Sequence, residues 1–341
     1  MRSRENTRIS LSLLLILFIS SANFVEAQQP TKIPQIGYLN TNLSPANIRR
    51  SMSEPFRQGL RELGYIEGQN FLLQQRIGSE QNLYDLAAEL VRLKPDVIVA
   101  HNVGPIRAAM NATKTIPIVM TFAGDPVLLG FVSSLEHPGG NVTGVGGLTL
   151  ELGGKWLELL KETVPSAKRV AVFWIERAEQ MFPTSKSLEI AARSMRVELD
   201  WLQIRNPLRG NSALWNSSRH SASFTASLAK ADGFIVLPGI ADDISTEISE
   251  LGQRQRVPGI FWRTDFALEP IRGLMAYGAN RLEQSRRAAY FVDKILKGAK
   301  PGDLPVEQPK SFELVVNLKT AREIGVIVPP RVLAWADRIV K

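Results

Sequence analysis

From residue 36 onward the chain alternates between two hydrophobic periods. Residues 36–40, 71–75, 96–100 and 118–121 are short, nearly continuous apolar runs, the pattern of strands buried on both faces. Between them the period lengthens. Phe56, Leu60 and Leu63 recur at helical spacing until Gly64, and Leu83, Leu86, Ala87, Leu90 and Val91 follow the i, i+3, i+4, i+7, i+8 rule of one helix face. Strand runs separated by amphipathic helices predict parallel sheets covered by helices, an α/β fold. A second series then begins, with a helix around 156–160, a strand at 169–174, a helix around 188–195 and strands near 199–203 and 233–237.

The restart carries a loose internal echo. Lys94-Pro95-Asp96-Val97-Ile98-Val99 is matched by Lys230-Ala231-Asp232-Gly233-Phe234-Ile235-Val236, and each copy leads to a proline-marked strand, at Pro117 and at Pro258. Two similar α/β lobes in one chain are the expectation. The glycine-dense stretch 138–147 between them lacks the Lys-Ser or Lys-Thr of a P-loop and the strand-GxGxxG-helix context of a dinucleotide site. It reads as a hinge crossing, with 273–278 and 312–317 as two more. The expected lobes are therefore 33–144 with 276–310 and 145–275 with 311–341.

Composition narrows the class. Arg2, Arg4 and Arg8 precede an apolar run at 9–19, and Val25-Glu26-Ala27 fits a signal-peptidase site, so residues 1–27 read as a signal peptide and Gln28 as the mature start. The run is too short to span a bilayer. With Cys 0 there is no lipidation cysteine, no disulfide and no thiolate nucleophile, so the expected product is a periplasmic protein without a lipid anchor. The net charge of +8 comes from Lys and Arg dispersed among 33 acidic residues, not from a stripe, so nucleic acid is not an expected partner.

Four segments together carry a family resemblance. They are the ten residues from Phe56 to Tyr65, Gly124-Asp125-Pro126-Val127, the run from Pro138 to Gly144, and Lys297-Gly298-Ala299-Lys300-Pro301 with Leu304-Pro305-Val306-Glu307-Gln308-Pro309. On these the chain closely resembles the ABC-transporter substrate-binding family that includes tryptophan- and tyrosine-binding lipoproteins. The resemblance implies a type I periplasmic-binding-protein fold: two Rossmann-like lobes with parallel sheets, joined by a three-segment hinge, that close on a ligand. It further implies a monomer, an inner-membrane ABC permease as partner, and no cofactor.

In such a fold ligand binds outside the carboxyl ends of the strands. That rule nominates Asn40 and Thr41 after the first strand, His101 and Asn102 after the third, and Phe122 with Asp125 after the fourth. From the second lobe it nominates Trp174, the segments 238–243 and 262–265, and within these Asp243 or Asp265 as the carboxylate for a ligand ammonium. Asn102 and Thr41 could donate to a ligand carboxylate beside a helix N-terminus. Each has a plainer reading. Asp125-Pro126 has the form of an N-cap followed by a proline, Trp174 suits a lobe core as well as a stacking role, and His101 has the place of a surface or cap residue with an ordinary hydrogen bond. Two departures from the family pattern, His101-Asn102-Val103-Gly104 and Ile175-Glu176, fall where ligand contacts belong, so the aromatic amino acid of the relatives does not carry over; an amino acid or related compound, aromatic ones included, is the expected ligand class.

Enzymes lack support: there is no GxSxG elbow, no HExxH, and the three histidines, His101, His137 and His220, have no metal-ligand spacing. A periplasmic sensor for a membrane kinase or chemoreceptor uses the same fold and stays open as the alternative to transport.

Overall fold

The computed structural model describes residues 33–41, 46–79, 81–147, 152–175, 184–204, 218–240 and 242–341. The expected signal peptide, residues 1–27, lies outside them, as does Glu176. Every element named below belongs to one compact unit, Pro34–Lys341.

The first series builds β1 (Gln35–Thr41), α1 (Ala46–Glu62), β2 (Leu72–Gly78), α2 (Leu83–Arg92), β3 (Val97–His101), α3 (Val103–Ala112), β4 (Ile118–Thr121) and β5 (Val142–Val145). Its five strands form a parallel sheet in the order β2-β1-β3-β4-β5. The second series builds α4 (Leu152–Thr163), β6 (Arg169–Trp174), α5 (Ser185–Met195), β7 (Glu198–Gln203), α6 (Ser218–Leu228), β8 (Gly233–Val236), α7 (Asp242–Gln255), β9 (Gly259–Phe261), a 3-10 turn (Thr264–Ala267) and β10 (Met275–Ala279). Its strands take the order β7-β6-β8-β9-β10, the same arrangement repeated.

The echoed motif has a structural cause. Asp96 stands just before β3, and its Oδ2 accepts from the Gln35 amide at the start of β1, 2.8 Å away. Asp232 stands just before β8, and its Oδ2 accepts from the Lys168 and Arg169 amides at the start of β6, at 2.7 and 2.9 Å. In both lobes an aspartate satisfies backbone donors that the sheet edge would leave open. These bonds hold the Asp232 carboxyl below its ordinary range. The prolines correspond too: the carbonyls of Pro117 and Pro258 accept from Ile98 and Phe234.

Each lobe's fifth strand hands a helix to the other lobe. After β5 comes α4, whose Trp156, Leu157 and Leu160 lie in the apolar cluster of the second sheet, with Trp156 Nε1 donating to the Tyr277 carbonyl on β10 at 2.7 Å. After β10 comes α8 (Arg281–Leu296), whose Ala288, Ala289, Phe291 and Val292 join Ile36, Tyr38, Phe56, Leu60 and Val99 of the first lobe. The chain then returns through β11 (Phe312–Asn317), α9 (Leu318–Ile324), α10 (Pro330–Trp335) and β12 (Arg338–Val340). Because it re-enters from the opposite direction, β11 runs antiparallel to β10, a reversal the expectation of parallel sheets did not include.

The glycine-dense stretch contains β5, not a phosphate loop. At Gly144 φ is +132°, and a Cβ there would lie 2.2 Å from the Met120 carbonyl oxygen, so only glycine lets this strand lie against β4. Glu307 exchanges backbone hydrogen bonds with Gly144 and Gly146 on the way back. Helix α1 differs in one respect from the sequence reading: it ends at Glu62, so Leu63 falls beyond it and is exposed while Phe56 and Leu60 are buried.

Candidate functional site

The carboxyl ends of both sheets bring one cluster of side chains together. Phe122, the residue after β4, turns with φ +58° and is buried in the apolar cluster of the second lobe. Its ring stacks on His101 at 6.0 Å between centroids and 9° between planes, and on Trp262 at 5.7 Å and 20°. His101 ends β3 in the first lobe, whereas Trp262 follows β9 in the second. The guanidinium of Arg281, first residue of α8, lies 4.5 Å from the Phe122 ring centre, a cation–π contact.

Four charges sit against this stack. Arg263 Nη2 donates to Asp242 Oδ2 and its Nε to Asp265 Oδ1, both at 2.8 Å. Its guanidinium also covers the Phe266 ring at 3.8 Å. Arg281 Nη1 stands 3.7 Å from Asp265 Oδ1. Burial alone would raise the Asp265 carboxyl, but Arg263 and Arg281 outweigh it and hold it below its ordinary range. Arg263 behaves conversely: burial works against its charge, and Asp265 with Asp242 more than restores it, leaving its pKa raised. Arg281 is not compensated in this way. Burial, aided by repulsion from Arg263, pushes it down to about 10, which still leaves it charged near neutrality.

His101 is 1% exposed, so its expected place as a surface or cap residue is corrected. It ends a central strand, and α8 and Phe122 close over it. Arg281 Nη2 lies 2.9 Å from His101 Nε2 and, being a donor only, makes that nitrogen the acceptor. The proton therefore sits on Nδ1, which faces Thr121 Oγ1 at 2.5 Å. Burial, then Arg281 and Arg263, push the imidazole well below 6.5, so it is neutral.

The remaining sequence candidates have other partners. Asn40 and Thr41 are buried at the end of β1, where Asn40 Oδ1 accepts from the Thr41 amide. Asn102 begins α3 with φ +80° and makes no side-chain cap bond. Asp125 caps a turn, its Oδ1 accepting from the Val127 and Leu128 amides at 3.0 Å. Trp174 packs edge-to-face on Trp201 at 6.1 Å, and its Nε1 is buried without a hydrogen-bond partner among the described residues. Asp243 is exposed, its Oδ1 accepting from the Ile244 amide; it is the neighbouring Asp242 that reaches Arg263. Sequence reasoning did not single out Arg281, Arg263 or Asp242. Applying the carboxyl-end rule to β10, followed at once by Asn280-Arg281, points to Arg281.

Among the described residues no group of three or more His, Asp or Glu side chains could hold a metal ion, and no helix is long and apolar enough to cross a membrane.

Two lobes that share one order of five strands, exchange helices and meet in a polar and aromatic cluster define a binding protein of the periplasmic type I class. Residues 47–340 match the family of ABC transporter substrate binding proteins, and the chain belongs to that family. It is a family of transport receptors rather than enzymes. A tyrosine-binding protein of Clostridioides difficile (strain R20291) is 27% identical over 274 residues, covering 79% of this chain and 75% of that protein. A conserved domain protein from Vibrio cholerae is similar at a TM-score of 0.75 and 25% identity, over 90% of this chain and 100% of that one. An ABC domain in complex with L-Trp from Streptococcus pneumonia shares the fold at 0.73 and 23%, over 90% and 99%. So does the ligand-free, open form of a Clostridium difficile substrate binding protein with adhesive properties, at 0.69 and 22%, over 91% and 100%.

Proposed function

We propose that this protein is the exported substrate receptor of an ABC importer, taking a zwitterionic amino acid or close analogue between its lobes and delivering it to a membrane permease. The observation that carries this reading is a set of unmatched buried atoms in the cross-lobe cluster. Arg281 Nε and Nη1 and Asp265 Oδ2 are buried with no hydrogen-bond partner among the described residues. Each such group left unsatisfied costs about 1–3 kcal/mol, and more when charged, so a ligand that supplies the partners gains that much in affinity. A carboxylate answers the Arg281 donors and an ammonium answers Asp265 Oδ2.

The charges favour the same ligand. Arg263 and Arg281 are cancelled by Asp242 and Asp265, and His101 is neutral. A zwitterion leaves the closed site neutral, whereas a net anion or cation adds an uncompensated buried charge. Asn40, Thr41 and Asn102, at the same sheet edge, complete the polar rim. Because contacts come from both lobes and from α8, ligand stabilises the closed arrangement that a permease reads. Export rests on the basic and apolar character of residues 1–27.

A thermal-shift screen of the protein beginning at Gln28, against amino acids, aromatic acids, amides, sugars, nucleosides and polyamines, tests the reading. A ligand at about a hundredfold its dissociation constant stabilises by about 2.7 kcal/mol, a shift of a few degrees. A saturable response confined to amino acids and their analogues, unconsumed on incubation, is the expected result; a response to sugars or polyamines with none to amino acids overturns the ligand class.

A further inference from the structure

We infer that Phe122 decides which amino acids enter: its ring fills the aromatic slot of the cleft, so the native ligand has no aromatic side chain. The inference rests on the zwitterion reading above and narrows it.

The slot is the space between His101 and Trp262, one from each lobe. Stacked rings prefer centroid separations of about 4.5–7 Å, and Phe122 stands 6.0 Å from one and 5.7 Å from the other, its plane nearly parallel to both. Both rings thus already have Phe122 as their stacking partner, and that ring is itself only 7% exposed. Arg281, whose free donors are the carboxylate anchor, covers the same ring at 4.5 Å. The chain itself therefore supplies the aromatic group beside the anchor.

The backbone supports an assigned role for this ring. Phe122 is a bulky residue at φ +58°, a left-handed conformation that is unfavourable for a side chain of this kind and persists only where its surroundings hold it. What holds it is the cross-lobe stack: the side chain leaves the first lobe's strand and buries itself to 7% exposure in the second lobe's apolar cluster. A residue serving only the first lobe's core would not need that turn. With the aromatic partners beside Arg281 taken by the chain's own ring, the ligand that fits this reading is one with a small or aliphatic side chain.

Isothermal titration of the wild type, Phe122→Gly and Phe122→Leu with L-alanine, L-serine and L-leucine, and with L-phenylalanine, L-tyrosine and L-tryptophan, tests this. Glycine removes the ring and accepts the left-handed backbone; leucine keeps apolar volume without a flat ring, so one variant remains folded, as checked by circular dichroism. The wild type should bind at least one of the small or aliphatic amino acids about tenfold or more tighter than any aromatic one, and Phe122→Gly should reverse that order. A wild type that prefers an aromatic amino acid, or variants whose preference matches the wild type, overturns the inference and leaves the zwitterion reading intact. No binding of any amino acid to wild type or variants overturns both.

Discussion

The two lobes use one frame and two different rims. At the amino ends of the strands they match closely: Asp96 and Asp232 accept backbone amides of the neighbouring strand, Pro117 and Pro258 mark the fourth, and the strand order is the same. At the carboxyl ends the match is lost. By strand register His101 corresponds to Leu237, Thr121 to Trp262, Phe122 to Arg263 and Asn40 to Trp174. The amino edge answers a demand that is identical in both lobes, the satisfaction of backbone donors. The carboxyl edge answers the ligand, and there each lobe contributes different chemistry: a neutral histidine and an aromatic ring from one, an arginine held by two aspartates from the other.

The strongest way to break the shared frame is at a crossing. Gly144→Ala places a Cβ 2.2 Å from the Met120 carbonyl at a positive φ and should lower stability by about 3 kcal/mol or more in denaturant melts. Gly278→Ala meets the Trp262 carbonyl at the same distance but without that backbone conformation, and should cost less. A Gly278→Ala loss equal to that of Gly144→Ala would remove the role assigned to the left-handed backbone.

At the rim, Arg281→Met should separate binding from stability. Arg281 is a buried cation with its pKa pushed down to about 10, so relief of that charge offsets part of the loss of its contacts to His101 and Asp265, and the stability of the free protein should fall by less than about 2 kcal/mol. Ligand affinity should fall by about 2–5 kcal/mol in calorimetry. Affinity within twofold of wild type would remove Arg281 from the anchor.

The aspartate at the second sheet's edge gives a smaller effect. Asp232 accepts two backbone amides, so at about 1 kcal/mol per bond Asp232→Ala should cost about 2 kcal/mol in denaturant melts. A loss under about 0.5 kcal/mol would remove the role assigned to it at that edge.

The smallest effect is in pH. His101 is depressed below 6.5 by burial and the two arginines, so below pH 6.5 the unfolded chain binds a proton that the native protein does not. Stability is then full above 6.5 and falls as the pH drops, by up to about 1.4 kcal/mol per unit. His101→Gln should flatten melts between pH 6.5 and 5; an unchanged slope would show that this ring does not set it.

Much of the frame was legible because burial on both faces writes strands as apolar runs; β4 and β6 have the bounds the pattern predicts. The echo at Asp96 and Asp232 was legible because the same backbone demand selected the same residue twice. The rim resisted for three reasons. Arg281 meets His101 across 180 positions, a separation no local pattern spans. Asp242 and Asp243 are adjacent on α7, and one residue of helix rotates a side chain by about 100°, which decides that Asp242 reaches Arg263. Phe122 was nominated by its place after the fourth strand, but no local pattern announces the positive φ that turns its ring into the opposite lobe.

The central claim is that the lobes close on ligand through this cluster. The chain has Cys 0, so cysteines introduced at exposed Asn111 of the first lobe and Ser194 of the second can be labelled cleanly and their separation followed by double electron–electron resonance. Addition of the amino acid found by the thermal screen should narrow a broad distance distribution to one short, single population, and should leave Arg281→Met broad. A distribution unmoved by saturating ligand in the wild type would contradict the account.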